Sequence, residues 1–300
     1  MCLPLLTDQL RNEITRLTAV KAFATIAESP PKIDLSSVLE QVVTELTTFL
    51  PNAYSNKISP SSYGSIVTEL SSLISDADLH MTALALELCC PMMVDKQHHA
   101  NVGMSMREHA LPQTLIIVKS SLLQGQALQM LQGFFAALVQ SANTSFKTLL
   151  ESLLSTARSG VAHGGPVSKQ AFYSIAQCVA VLCLADGDAG CSSSVAMLVT
   201  TLRTSNGTDA TQLLSLLCLG EIGRRKDLSA HANIEVLVIG SFQSPFEEIT
   251  AAASYALGNI AVIAHQSLNG EGKVDLRDAD VQKILSLLFT HCESEEEGTD

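Results

Sequence analysis

Apolar residues recur at intervals of three and four along almost the whole chain, and sustained alternation of period two is not found. That spacing is the signature of amphipathic helices. Leu10, Ile14, Leu17 and Phe23 predict a helix from about Thr7 to Glu28, and Leu35, Leu39, Val42, Leu46 and Phe49 predict a second over about 35–50. Further helices are predicted at about 62–74, 78–93, 106–119, 123–141, 145–157, 168–185, 192–204, 209–223, 232–242, 245–263 and 277–291. The connections are short and carry Pro, Gly, Asp, Asn or Ser, residues that stop one helix and start the next. The expected fold class is all-α.

The predicted helices also come in pairs. Four stretches overlay: LISDADLHMTALALELC, IVKSSLLQGQALQMLQGFF, LRTSNGTDATQLLSLLCLGEIG and GSFQSPFEEITAAASYALGNIA. Each is a helix end, a tight polar turn and a helix of small and apolar residues. With Ser75, Ser120, Thr204 and Ser244 as markers the steps are 45, 84 and 40 residues, the double step holding one more pair around RSGVAHGGPVSK. A period of about 40–47 residues with two helices per unit is that of a HEAT or armadillo α-solenoid, in which second helices stack on one another. The alanines of QSPFEEITAAASYALGNIAV then have a reason. Ala251, Ala252, Ala253, Ala256, Ala261 and Gly258 admit a close neighbour, with Ala253, Ala256 and Ile260 expected on the stacking side.

One unit breaks the pattern. The helix over about 35–50 reads as a first helix, and PNAYSNKISP leads directly into another first helix, SSYGSIVTELSSLISDAD. A missing second helix would have buried four or five aliphatic side chains, roughly 10 kcal/mol of transfer free energy as an upper bound. Whole domains are stable by only about 5–15 kcal/mol. Either the neighbours repack there or this end of the chain is weak. The expected organisation is one HEAT solenoid over residues 1–291, irregular near 50–62 and 264–277, with an acidic tail over 292–300.

Composition narrows the function. The 300 residues are 47% hydrophobic and 16% charged, ample for a packed core, and tryptophan is absent. A net charge of −12 argues against direct nucleic-acid binding, which needs clustered Lys and Arg. Of eight cysteines, Cys89, Cys90, Cys178, Cys183 and Cys218 lie in apolar helical runs without a CxxC pair, and read as buried free thiols of a reducing compartment. The opening MCLPLLTDQLRNEI lacks the features of a signal peptide, and no apolar stretch approaches the roughly 20 residues of a membrane span. An intracellular, soluble protein without membrane contact is expected.

Candidate chemistry is sparse. DGDAG at Asp186–Gly190 begins like a calcium loop, but its twelfth position is Met197 rather than Glu, so it reads as an acidic inter-repeat loop. His98, His99 and His109 lack a completing cysteine or carboxylate set, and DKQHHANVG reads as a solvated linker. SGVAHGGP lacks the strand and the Lys-Ser/Thr of a phosphate loop. No catalytic, metal or cofactor site is assigned. The densest basic cluster, Arg224, Arg225 and Lys226, falls at a helix C-terminus, where cations oppose the dipole, and doubles as a weak partner-binding candidate.

At LLSLLCLGEIGRRKDLSAHANIEVLVIGSFQSPFEEITAAASYALGNIAV the chain resembles the cullin-associated, neddylation-dissociated proteins, a family of long HEAT solenoids also described as TATA-binding-protein-interacting. LTDQLRNEITRLTAVKAFATIA, SPPKIDLSSVLEQVV, SSLLQGQALQMLQGFFAALV and KQAFYSIAQCVAVLCLA resemble it in the same order. Three departures stand out: the family's proteins are several times longer, they carry a helix after the position matching Leu50, and they continue where this chain halts. The chain thus resembles an internal-to-late fragment, as a splice variant or an incomplete gene model would produce.

The resemblance implies a non-catalytic role. Such proteins wrap a cullin–RING ubiquitin ligase core, control its neddylation and assembly, and exchange its substrate receptors. The expected partners are therefore the cullin and its RING subunit, in cytoplasm and nucleus, with self-association through unpaired repeat faces as a further expectation. The rival readings are a HEAT-repeat transport receptor and a generic protein–protein interaction scaffold.

Overall fold

In a computed structural model, the chain is described over residues 2–12, 14–30, 33–49, 60–94, 99–141, 145–162, 168–204, 209–231 and 234–269, with Gln282, Ser286 and Phe289. These residues are helices and turns, without a strand among them. The three isolated residues are helical, within the helix predicted at 277–291; the rest of that helix, Leu50–Ser59 and the acidic tail lie outside the described residues.

The helices form two compact units, Met1–Ile117 with Gln124–Thr144, and Val118–Leu123 with Ser145–Asp300. The first holds α1 (Cys2–Arg11), α2 (Arg16–Glu28), α3 (Ser36–Phe49), α4 (Pro60–Ser72), α5 (Leu79–Val94), α6 (His99–Ser105), α7 (Leu111–Ile117) and α8 (Gly125–Gln140). A single π-helical turn, Met106–Ala110, joins α6 to α7 in one continuous rod. The second holds α9 (Phe146–Ala162), α10 (Lys169–Ala185), α11 (Gly187–Arg203), α12 (Asp209–Gly223), α13 (Ile234–Gly240) and α14 (Glu247–Asn269).

Helix pairs are the repeating element of this α-solenoid. In the second unit α9 packs on α10, α11 on α12 and α13 on α14, while α10, α12 and α14 stack in a row with α12 in the middle. In the first, α4 packs on α5, and α5 stacks on α8. There α3 lies against α1 and α5.

Side-chain hydrogen bonds tie the turns. The Ser120 and Ser244 hydroxyls accept from the backbone N–H of Leu122 and Phe246, both at 3.3 Å. At the α4–α5 turn the buried Thr82 hydroxyl accepts from the Ser75 N–H at 2.9 Å and donates to the Ser75 carbonyl at 2.8 Å.

Three local expectations are corrected. The helix predicted over Thr7–Glu28 is two helices: Asn12 Oδ1 accepts from the Ile14 N–H at 3.0 Å, and Arg16 Nε and Thr15 Oγ1 donate to the carbonyls of Leu10 (2.8 Å) and Gln9 (3.1 Å). Side chains thus take over the last acceptors of α1, and the helix ends. DGDAG is no loop. Asp186 alone joins α10 to α11, Gly187 makes the reversal at φ 80°, and Asp188 sits in the first turn of α11. DKQHHANVG is only partly a linker, because α6 already begins at His99.

Candidate protein-interaction surfaces

The row α10–α12–α14 rests on small residues at two levels of α12. A Cβ on Gly220 would stand 3.0 Å from the Ala256 Cα and from the Tyr255 ring, and one on Gly223 would stand 2.5 Å from Ile260 Cγ1. Ala253, Ala256 and Ile260 are buried on that side, as the repeat pattern predicts. Gly258 behaves otherwise: a Cβ there would meet nothing within 4 Å, so it is not one of the close-approach residues.

Beside this stack lies a polar knot. Glu221 on α12 has a side chain only 1% exposed, and its Oε2 accepts from Arg225 Nη1 at 2.5 Å. Tyr255 on α14 donates its hydroxyl to Oε1 of the same carboxylate, and its ring meets Tyr173 of α10 edge to face with centroids 5.8 Å apart. One buried carboxylate and two tyrosines therefore bridge three stacked helices. Burial, reinforced by the Glu221 carboxylate, holds the Tyr255 hydroxyl above the usual phenol range.

The basic cluster Arg224–Arg225–Lys226 is drawn into this fabric. Its backbone N–H groups donate to the carbonyls of Gly220 and Ile222, closing the C-terminus of α12. Arg225 serves Glu221, and Lys226 Nζ reaches Asp188 Oδ1 of α11 at 2.6 Å. Arg224 stands 3.9 Å from the Glu221 carboxylate with 59% of its side chain exposed, the most exposed of the three. The signal that could have revealed the knot was Glu221, three to five residues before three cations on the same helix end.

Of the cysteines predicted to be buried, Cys89, Cys178, Cys183 and Cys218 are, and Cys90 is partly so; all five are free thiols. Burial pushes every one of them up, Cys90 and Cys183 to about 12. Protonated thiols at neutral pH are poor nucleophiles and poor metal ligands. No group of three His, Cys, Asp or Glu that could hold a metal occurs among the described residues. Nor is any helix among them long and apolar enough to cross a membrane. His109 is exposed in the π turn and His99 opens α6, while His98 lies outside the described residues.

A second surface lies in the N-terminal unit, where α1, α2 and α3 leave an apolar groove of about 270 Å³ between them. One wall is Val20, Phe23, Ala24 and Ala27 of α2, the other Val38, Leu39, Val42 and Leu46 of α3. Leu10, Phe23 and Val38 are buried in it, whereas Ala24 and Ala27 are exposed at its edge. Two apolar helix stripes over a buried floor form the kind of groove that takes a third helix.

Comparison with known proteins places the whole chain. A protein of Arabidopsis thaliana named Cullin-associated NEDD8-dissociated protein 1 is 54% identical over 347 aligned positions, which cover 99% of this chain and 28% of that protein. The chain belongs to this family. Proteins of the same name from Dictyostelium discoideum and Drosophila melanogaster are 33% and 31% identical, over 99% and 100% of the chain. The chain spans about 28% of the length of these cullin-associated, NEDD8-dissociated relatives. No protein-family model matches it.

Proposed function

We propose that the chain is a segment of a non-catalytic cullin-binding solenoid that takes part in the assembly of cullin–RING ubiquitin ligases, in the cytoplasm and nucleus. The observation that carries this reading is the 54% identity, along 99% of the chain, to a protein named as cullin-associated and NEDD8-dissociated. The architecture is in keeping with it: stacked helix pairs offer extended surfaces, and among the described residues the buried Glu221 carboxylate is tied to Arg225 while burial keeps the Cys218 thiol protonated. In this reading the partner is a cullin bound to its RING subunit, and the segment supplies contact surface. Control of neddylation and exchange of substrate receptors then require the remaining length that the relatives possess.

The test is co-elution of purified chain with an unmodified cullin–RING core on a sizing column, beside a full-length relative. A complex with both supports the reading. A complex with the relative alone overturns it for this chain.

A further inference from the structure

The polar knot at the end of α12 carries one charge too many. Glu221 is matched by Arg225, whose Nη1 lies 2.5 Å from Oε2, and the Tyr255 hydroxyl donates to Oε1 of the same carboxylate. Lys226 is matched by Asp188 of α11 at 2.6 Å. Arg224 stands 3.9 Å from the same Oε1 that Tyr255 holds, beside a carboxylate that Arg225 has already neutralised. It is a surplus cation, and 59% of its side chain is exposed. The flanking helices offer it little. No acidic residue occurs in α10, and those of α14, Glu247 and Glu248, stand in its first turn, about 10 Å of helix rise or more before Tyr255.

The surroundings of this surplus charge are aromatic and fixed. A Cβ on Gly220 would stand 3.0 Å from the Tyr255 ring, and Tyr173 of α10 meets that ring edge to face with centroids 5.8 Å apart. Both tyrosines are half-buried, held at the base and open at the surface. Along α14 the same stripe continues through Asn259, which donates to the Tyr255 carbonyl at 3.0 Å, to Val262, which is 44% exposed. Tyrosine and arginine are enriched among the residues that carry binding energy in protein interfaces. Side chains fixed before a partner arrives lose little entropy when it does.

We propose that Arg224, flanked by Tyr255 and Tyr173, is a contact point for a carboxylate of the cullin–RING core, an inference that rests on the cullin-binding reading above. The guanidinium fork takes the carboxylate through two parallel N–H···O bonds, and the tyrosines wall the pair from water. One surplus cation in a chain of net charge −12 suits a single carboxylate. A nucleic-acid backbone asks for clustered cations instead.

The test is binding of the full chain to an unmodified cullin–RING core, followed by biolayer interferometry at low and high salt. Arg224→Gln is expected to bind about fivefold more weakly, with a shallower loss of affinity as salt rises, while keeping the helical spectrum of the parent chain. Lys147→Gln makes the same charge change at an exposed position of α9 and is expected to bind like the parent. Parent-like binding by Arg224→Gln overturns the proposal and leaves the cullin-binding reading standing. Equal weakening by both variants also overturns it, since net charge would then account for the effect. Absence of binding by the parent chain overturns both readings. Capture of a DNA duplex by the parent chain and not by Arg224→Gln would give the surface to phosphate, and the proposal would fail.

Discussion

Two glycines of α12 and one of α14 look alike in sequence and differ in what faces them. Gly220 and Gly223 stand against the backbone and side chains of α14, so Gly223→Ala forces the helices apart and is expected to cost about 1–3 kcal/mol in urea unfolding. Gly258 faces open space in a helix interior, and Gly258→Ala is expected to add about 0.5–1 kcal/mol. Equal signs for the two variants would contradict the stacking geometry. Tyr255→Phe removes a donor from the buried Glu221 carboxylate, and about 1–3 kcal/mol of stability is expected to go with it. The buried thiols contribute a loss of stability at alkaline pH. In the unfolded chain they ionise near 9, whereas in the fold Cys90 and Cys183 hold their protons to about 12. The unfolded state therefore binds fewer protons above pH 9, so stability is full below that pH and falls as pH rises toward 12. Urea midpoints at pH 8 and pH 10 check the sign, and a higher midpoint at pH 10 refutes it.

The elements differ in how much they bury. Every second helix in the row α10–α12–α14 has neighbours on the stacking side, and α10 alone buries ten residues. The core shared by α1, α2 and α3 has four buried members among the described residues: Leu10, Ala19, Phe23 and Val38. Local opening follows such differences. Amides of α1–α3 are expected to exchange with deuterium well ahead of those of α10 and α12 in a mass-spectrometric time course. Comparable protection in the two regions would contradict this ranking. At this scale the reading from sequence succeeded where periodicity alone decides and failed where polar side chains do. The helices at 35–50, 78–93, 168–185 and 209–223 match α3, α5, α10 and α12 to within a residue or two. The break at Asn12 escaped, because it depends on Arg16 and Thr15 turning back to the last carbonyls of α1. Apolar spacing carries no trace of that.

Within each unit the described helices contact mainly their neighbours in the chain or in the stack, and unfolding should show it. Repeat arrays melt by segments when their units differ in stability. The far-ultraviolet circular dichroism signal is expected to fall over a broader urea range than a single cooperative transition of 300 residues allows, with the N-terminal helices leading. One sharp transition would argue for a rigidly coupled array. At this scale the sequence by itself determined the all-α class, the helix-pair period and the family. Each is a matter of apolar spacing or of long runs of matching residues, which are properties of the chain read in order. Only the tertiary structure decided which small residues carry the stack, where Arg225 and Lys226 find their carboxylates, and that α1, α2 and α3 leave an apolar groove between them. Those depend on which faces meet across 34 to 38 residues of chain, as in Tyr255 on Glu221 and Lys226 on Asp188. A one-dimensional pattern specifies that a face is apolar or small; packing specifies what lies against it.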